Sequence, residues 1–194
     1  MTALTPNDLY SLEEYAKIRS DFRARVMAHK RTRKVPIGHN ATLYFEDRLT
    51  MQYQVQEMLR IERIFEPDGI REELEAYNPL VPDGANWKAT FMVEYSDVDE
   101  RRDALARLIG IEDKVWVRVE GHDRVFAIAD EDLERADETK TSSVHFLRFE
   151  LTPEMVAAVK GGAALAMGID HPQYEYRLDA VDAAVRGSLT DDLA

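Results

Sequence analysis

Residues 50–65 read TMQYQVQEMLRIERIF, and the reading of this stretch decides the fold. At 100° per residue, Gln52, Gln56, Arg60 and Arg63 fall within roughly 80° of one another and make one narrow wet stripe. Nearly all the rest of the circumference is apolar: Met51, Tyr53, Val55, Met58, Leu59, Ile61, Ile64 and Phe65. A helix apolar over most of its surface belongs at the centre of a domain. Gln54, Glu57 and Glu62 are nevertheless set in that arc. An ionised carboxylate held there alone costs several kcal/mol, so each must be paired, protonated or bound to something.

Upstream, Thr5-Pro6-Asn7-Asp8 has the form of an N-cap followed by proline at the first helical position, and Ser11-Leu12-Glu13-Glu14 has capping-box spacing. Leu12, Tyr15, Ile18, Phe22 and Val26 then recur every three or four residues, which predicts a long amphipathic helix over about 11–34. A strand at 42–46 leads into the apolar helix. Downstream come a short helix at 70–77, a strand at 88–95 and a helix from Ser96 to Ile109. A hairpin of 115–119 with 124–129 follows, then a charged short helix and loop over 130–140. Residues 143–151 are apolar on both faces, as in an interior strand, and place His145 and Arg148 on opposite sides. A helix capped by Thr152, a strand at 163–169 and an amphipathic helix at 179–193 complete the chain. Six strands and about six helices in irregular order predict a single α+β domain over 1–194. Its mixed, largely antiparallel sheet of five or six strands packs on the central helix at about 50–65, with amphipathic helices flanking it.

No cysteine occurs, so disulfides, thiolate nucleophiles and any cysteine-ligated cluster are excluded. The N-terminus has no apolar signal region and no stretch approaches a membrane span, which predicts a cytoplasmic protein without membrane contact. Charge is unevenly placed. Residues 17–34 hold eight basic side chains against Asp21 alone, whereas residues 35–194 carry 17 basic and 33 acidic ones. So acidic a body repels a phosphate backbone, which argues against nucleic acid. Arg23, Arg25, Lys30, Arg31, Arg33 and Lys34 are instead candidates for docking an acidic partner, or form a solvated helix face.

Dinucleotide, Walker, zincin, nucleophile-elbow and di-iron motifs are absent. What remains is a set of polar groups that the pattern buries: Glu57 and Glu62 from the helix, His145 and Arg148 from the two-sided strand, Asp170 and His171 from a strand end. Converging, they form a pocket for a polar ligand or, through Glu57, His145 and His171, a metal. Otherwise they form an internal salt-bridge network, such as Glu57 with Arg148 or Arg60, that fixes the helix on the sheet. These alternatives define an enzyme or sensor with a buried carboxylate and histidine pocket on one side, and an accessory binding protein on the other.

The runs Phe45-Glu46-Asp47-Arg48, Tyr53-Gln54-Val55-Gln56-Glu57-Met58-Leu59-Arg60 and Glu62-Arg63-Ile64 resemble an uncharacterised bacterial family, domain of unknown function 3501. Tyr77-Asn78-Pro79-Leu80, residues 145–151 and Gly168-Ile169-Asp170-His171-Pro172 are also similar to it, so the likeness spans nearly the whole chain. The resemblance supplies no catalytic residues. Through the rubrerythrin and iron–sulfur oxidoreductase genes that often adjoin the family's, it implies an accessory part in peroxide defence or electron transfer.

Overall fold

The fold is α+β, with every strand pair antiparallel. The structure, a computed structural model, describes residues 3–194 except Glu134 and Glu138. In chain order the elements are α1 (Leu12–Lys30), β1 (Lys34–Pro36), β2 (Ala41–Glu46), α2 (Arg48–Glu62) and α3 (Pro67–Tyr77). Next come β3 (Asn86–Val93), α4 (Val98–Arg107), β4 (Val115–Val119), β5 (Arg124–Phe126), β6 (Ile128–Ala129) and β7 (Val144–Glu150). The chain ends with α5 (Pro153–Lys160), β8 (Leu165–His171), β9 (Tyr174–Leu178) and α6 (Ala183–Thr190).

The strands divide into two sheets, ordered β1-β2-β3-β7-β6 and β5-β4-β8-β9, where one sheet was expected. The reason lies in residues 124–129, which read as one strand. Trp116 to Arg118 pair with the first half, and Leu147 and Arg148 with the second, so the run changes sheets at Ala127. The strand β9 is also additional to the expected set. The expected helix within 130–140 is not found among the described residues there, and Glu134 and Glu138 lie outside them.

Alternation sends Leu43, Phe45, Trp87, Phe91, Leu147 and Phe149 of the first sheet into one continuous core with Val115, Val117, Leu165, Met167 and Ile169 of the second. Residues of α4, α5 and α6 close this core. Helix α2 lies outside it. Met51, Val55 and Leu59 pack with Leu4, Leu74 and Val81, and a further group joins Tyr15, Phe22 and Val26 of α1 to Leu49 and Tyr53. The apolar helix is therefore the hub of a helical layer rather than the centre of the main core; Ile61 in its last turn and Phe65, beyond its end, face solvent.

Candidate functional site

Of the wet stripe of α2, Gln56 is covered and Gln52 partly so, whereas Arg60 and Arg63 are exposed. Gln56 is fully buried, and its side-chain amide accepts from the Tyr10 N–H and donates to the Tyr10 carbonyl, both at 3.0 Å. Gln52 donates to the Asp8 carbonyl at 2.6 Å. A primary amide offers a donor and an acceptor side by side, so it can pair with a passing main chain as a strand would. The two glutamines of the stripe thus bind the N-terminal segment.

Glu57 is paired, as one of the two sequence readings required, but its partner comes from α1. Arg19 donates to both carboxylate oxygens at 2.8 Å and the Tyr15 hydroxyl donates at 2.7 Å. The Arg19 guanidinium, with the Tyr15 hydroxyl, holds this carboxyl below its ordinary range. Glu62 corrects the sequence reading: it is exposed, because α2 ends there and its last turn runs past the layer it packs on.

His145 is 0% exposed and faces inward from β7. Its Nδ1 lies 2.6 Å from Asp130 Oδ2, and its Nε2 lies 2.9 Å from Thr141 Oγ1 and 3.1 Å from the Ser142 carbonyl. The Thr141 hydroxyl donates to Glu112 at 3.1 Å, so it meets the ring as an acceptor. Asp130 adopts φ +50°, a left-handed conformation that Asp tolerates, and its other oxygen accepts from the Phe146 N–H and from Arg135. The arrangement has the Asp–His–hydroxyl order of a nucleophile triad, with Thr141 buried as well. It ties the 130–142 segment to the sheet.

Asp170 accepts from the Trp116 indole at 2.8 Å and pairs with Arg124, whose guanidinium stacks over the Trp116 ring at 4.2 Å. His171 meets the Ile109 carbonyl at 3.2 Å and accepts from the Gln173 N–H. The six sequence candidates therefore do not converge: none bonds to another, and each except the exposed Glu62 is held by different neighbours. Among the described residues no three His, Asp or Glu side chains are grouped to hold a metal ion.

Arg148 lines a cleft of about 280 Å³. Its floor is the outer face of the first sheet, where Lys88, Phe146 and Arg148 project, and Tyr77, Pro79 and Leu80 form the opposing wall. Arg148 is engaged bidentately by Glu131 at 2.8 Å and by Glu150 at 2.5 Å. Lys88 stands directly opposite Arg148 in register. It makes no hydrogen bond or ion pair among the described residues, and burial, followed by the Arg148 charge, pushes its ammonium below the ordinary lysine value. Sequence reasoning missed Lys88. The signal was present: the alternation that faces Phe91 and Val93 inward turns Lys88 outward, onto the same side as Arg148.

The basic run divides in two. Arg33 is 1% exposed, which removes it from the docking candidates. It donates to the carbonyls of Phe45, Glu46 and Ser188 at 3.0–3.1 Å and to Asp192 at 2.5 Å. Asp47 lies 3.5 Å away and also contacts His29. Although burial opposes its charge, Arg33 and the Thr50 N–H keep the Asp47 carboxyl below its usual range. Arg23, Arg25, Arg31 and Lys34 are exposed, Lys30 is partly so, and none forms an ion pair among the described residues. Arg25 and Lys34 instead lie over the rings of Phe22 and Tyr44.

A two-sheet α+β protein with a helical layer beside its main core and a charged cleft over the first sheet is the class that these features define. The chain belongs to the family described as protein of unknown function (DUF3501), whose model matches residues 3–193. A crystal structure of a novel protein of unknown function from Burkholderia pseudomallei is similar over 100% of both chains, with 54% sequence identity and a TM-score of 0.95. No curated protein matches.

Proposed function

We propose that this chain is a cytoplasmic accessory protein that docks, through the basic residues of α1 and the turn after it, on an acidic surface of an oxidoreductase. One observation carries the reading. Of the cations in 17–34, Lys17, Arg19 and Arg33 are spent on pairs within the chain, whereas Arg23, Arg25, Lys30, Arg31 and Lys34 form no ion pair among the described residues of a strongly acidic protein. Uncompensated charge of the minority sign speeds and orients association with an oppositely charged surface. Through the genes that adjoin those of the family it resembles, we take the partner to be a rubrerythrin or iron–sulfur oxidoreductase of peroxide defence. Without cysteine the chain supplies recognition and no thiolate electron carrier. No helix among the described residues is long and apolar enough to cross a membrane.

The test is binding of the full chain to the purified rubrerythrin and oxidoreductase of the same organism across a salt series. Affinity falls steeply above about 0.1 M salt, where the screening length is about 10 Å, and is lost in the combined Arg23→Glu, Arg31→Glu and Lys34→Glu variant. No complex at low salt, or one indifferent to charge reversal, overturns the reading.

A further inference from the structure

The cleft over the first sheet has chemistry independent of the basic helix. Its walls are apolar and aromatic, from Tyr77, Pro79, Leu80 and Phe146, and its floor carries two cations side by side. Like charges directly opposite in a sheet repel, and each needs a counter-charge. Arg148 has two, Glu131 and Glu150, while the remaining rim acid, Asp132, is taken up bidentately by Arg135 at 2.7 Å. Lys88 has none at bonding distance.

A second observation concerns where that ammonium goes. Glu46 is the register partner of Lys88 on the other side, and it is 5% exposed. Its Oε1 accepts from Thr90 at 2.8 Å, but its Oε2 is buried without a hydrogen-bond partner. A lysine beside a buried, half-satisfied carboxylate neutralises it unless the amine is directed elsewhere. Lys88 forms no ion pair with Glu46 and lines the cleft instead.

We propose that this cleft binds a small monocarboxylate with an apolar or aromatic body, its carboxylate on Lys88 and its body between Phe146 and the Tyr77–Leu80 wall. The volume of about 280 Å³ falls just below the range of about 300–1,000 Å³ for ligand pockets, which limits the ligand to a small metabolite-sized acid. The shape supplies apolar burial and Lys88 supplies the one charged contact that fixes orientation.

Benzoate is the probe and benzyl alcohol its uncharged counterpart, titrated into the full chain by calorimetry and followed by ligand-observed NMR. Benzoate saturates one site, benzyl alcohol binds at least roughly tenfold more weakly, and Lys88→Met lowers benzoate affinity by roughly tenfold or more. Leu80→Trp, which fills the cleft and leaves Lys88 in place, abolishes binding. Chemical denaturation of both variants establishes that they are folded. Equal binding of acid and alcohol, unchanged benzoate affinity in folded Lys88→Met, or no saturable benzoate binding each overturns the proposal. The partner-docking charge reversals lie on other residues, so failure of one proposal leaves the other standing.

Discussion

Replacing Arg33 by Met tests the arrangement that joins the N-terminal half of the chain to its last helix. The guanidinium reaches three carbonyls, Phe45, Glu46 and Ser188, and two acids, Asp192 and Asp47. Met fills similar space and offers no donor. Asp192 is only 3% exposed, so water does not replace the lost cation. Removing one partner of a buried ion pair costs about 3–5 kcal/mol, because the other charge stays behind. Against a total stability of about 5–15 kcal/mol this is a large share. Urea unfolding followed by tryptophan fluorescence reads the loss directly, since buried Trp87 donates to the Leu189 carbonyl of α6 at 2.9 Å. If the stranded charge is the cause, adding Asp192→Asn to Arg33→Met restores about 1–3 kcal/mol. A single variant within about 1 kcal/mol of the parent, or a double variant no more stable than the single, would refute the reasoning.

Burial raises the Asp192 carboxyl from 3.8 to about 6, with Arg33 offsetting only part of that effect. Such a group adds stability below its unfolded value and loses it as pH rises through the folded one, so Asp192→Asn gains on the parent by up to about 3 kcal/mol from about pH 4 to pH 7. Parallel pH dependences of the two proteins in urea titrations contradict this. Gln56→Leu strands the Tyr10 N–H and carbonyl at about 2–3 kcal/mol, and limited proteolysis then cuts before α1 sooner than in the parent. Gly38 has φ +74°, and a Cβ there would lie 2.6 Å from the Tyr176 ring. Gly38→Ala therefore costs about 1–3 kcal/mol, read as a lower melting temperature; an unchanged value contradicts the close packing of this turn on β9.

The α+β class and most element positions were legible because caps, periodicity and turns are local properties. The capping box of Ser11 and Glu14 forms as its spacing predicts, and Thr152 caps α5. What was not legible depends on neighbours far along the chain. From the sequence Glu57 had to be paired, protonated or bound to something; that it is paired, and with Arg19, 38 residues away, follows from packing alone. Gln56 read as solvent-facing because a helical wheel contains no information about a segment such as 4–11 folding over it. Arg33 read as one more surface cation in a basic run, although it is the one most deeply used. His145 was recognised as buried, but Asp130, Thr141 and Glu112 are polar residues in loops and turns whose convergence no spacing records. The cleft escaped for the same reason: Lys88 and Tyr77 are adjacent only once the loop at 78–85 has turned the chain back.

The run from Arg124 to Ala129 belongs to both sheets, pairing first with β4 and then, past Ala127, with β7. The two sheets cannot separate without this short peptide leaving at least one of its partners, and they share one continuous core. The two layers should thus melt together, with the slowest-exchanging amides of β3 and of β8 opening at one common free energy rather than at two.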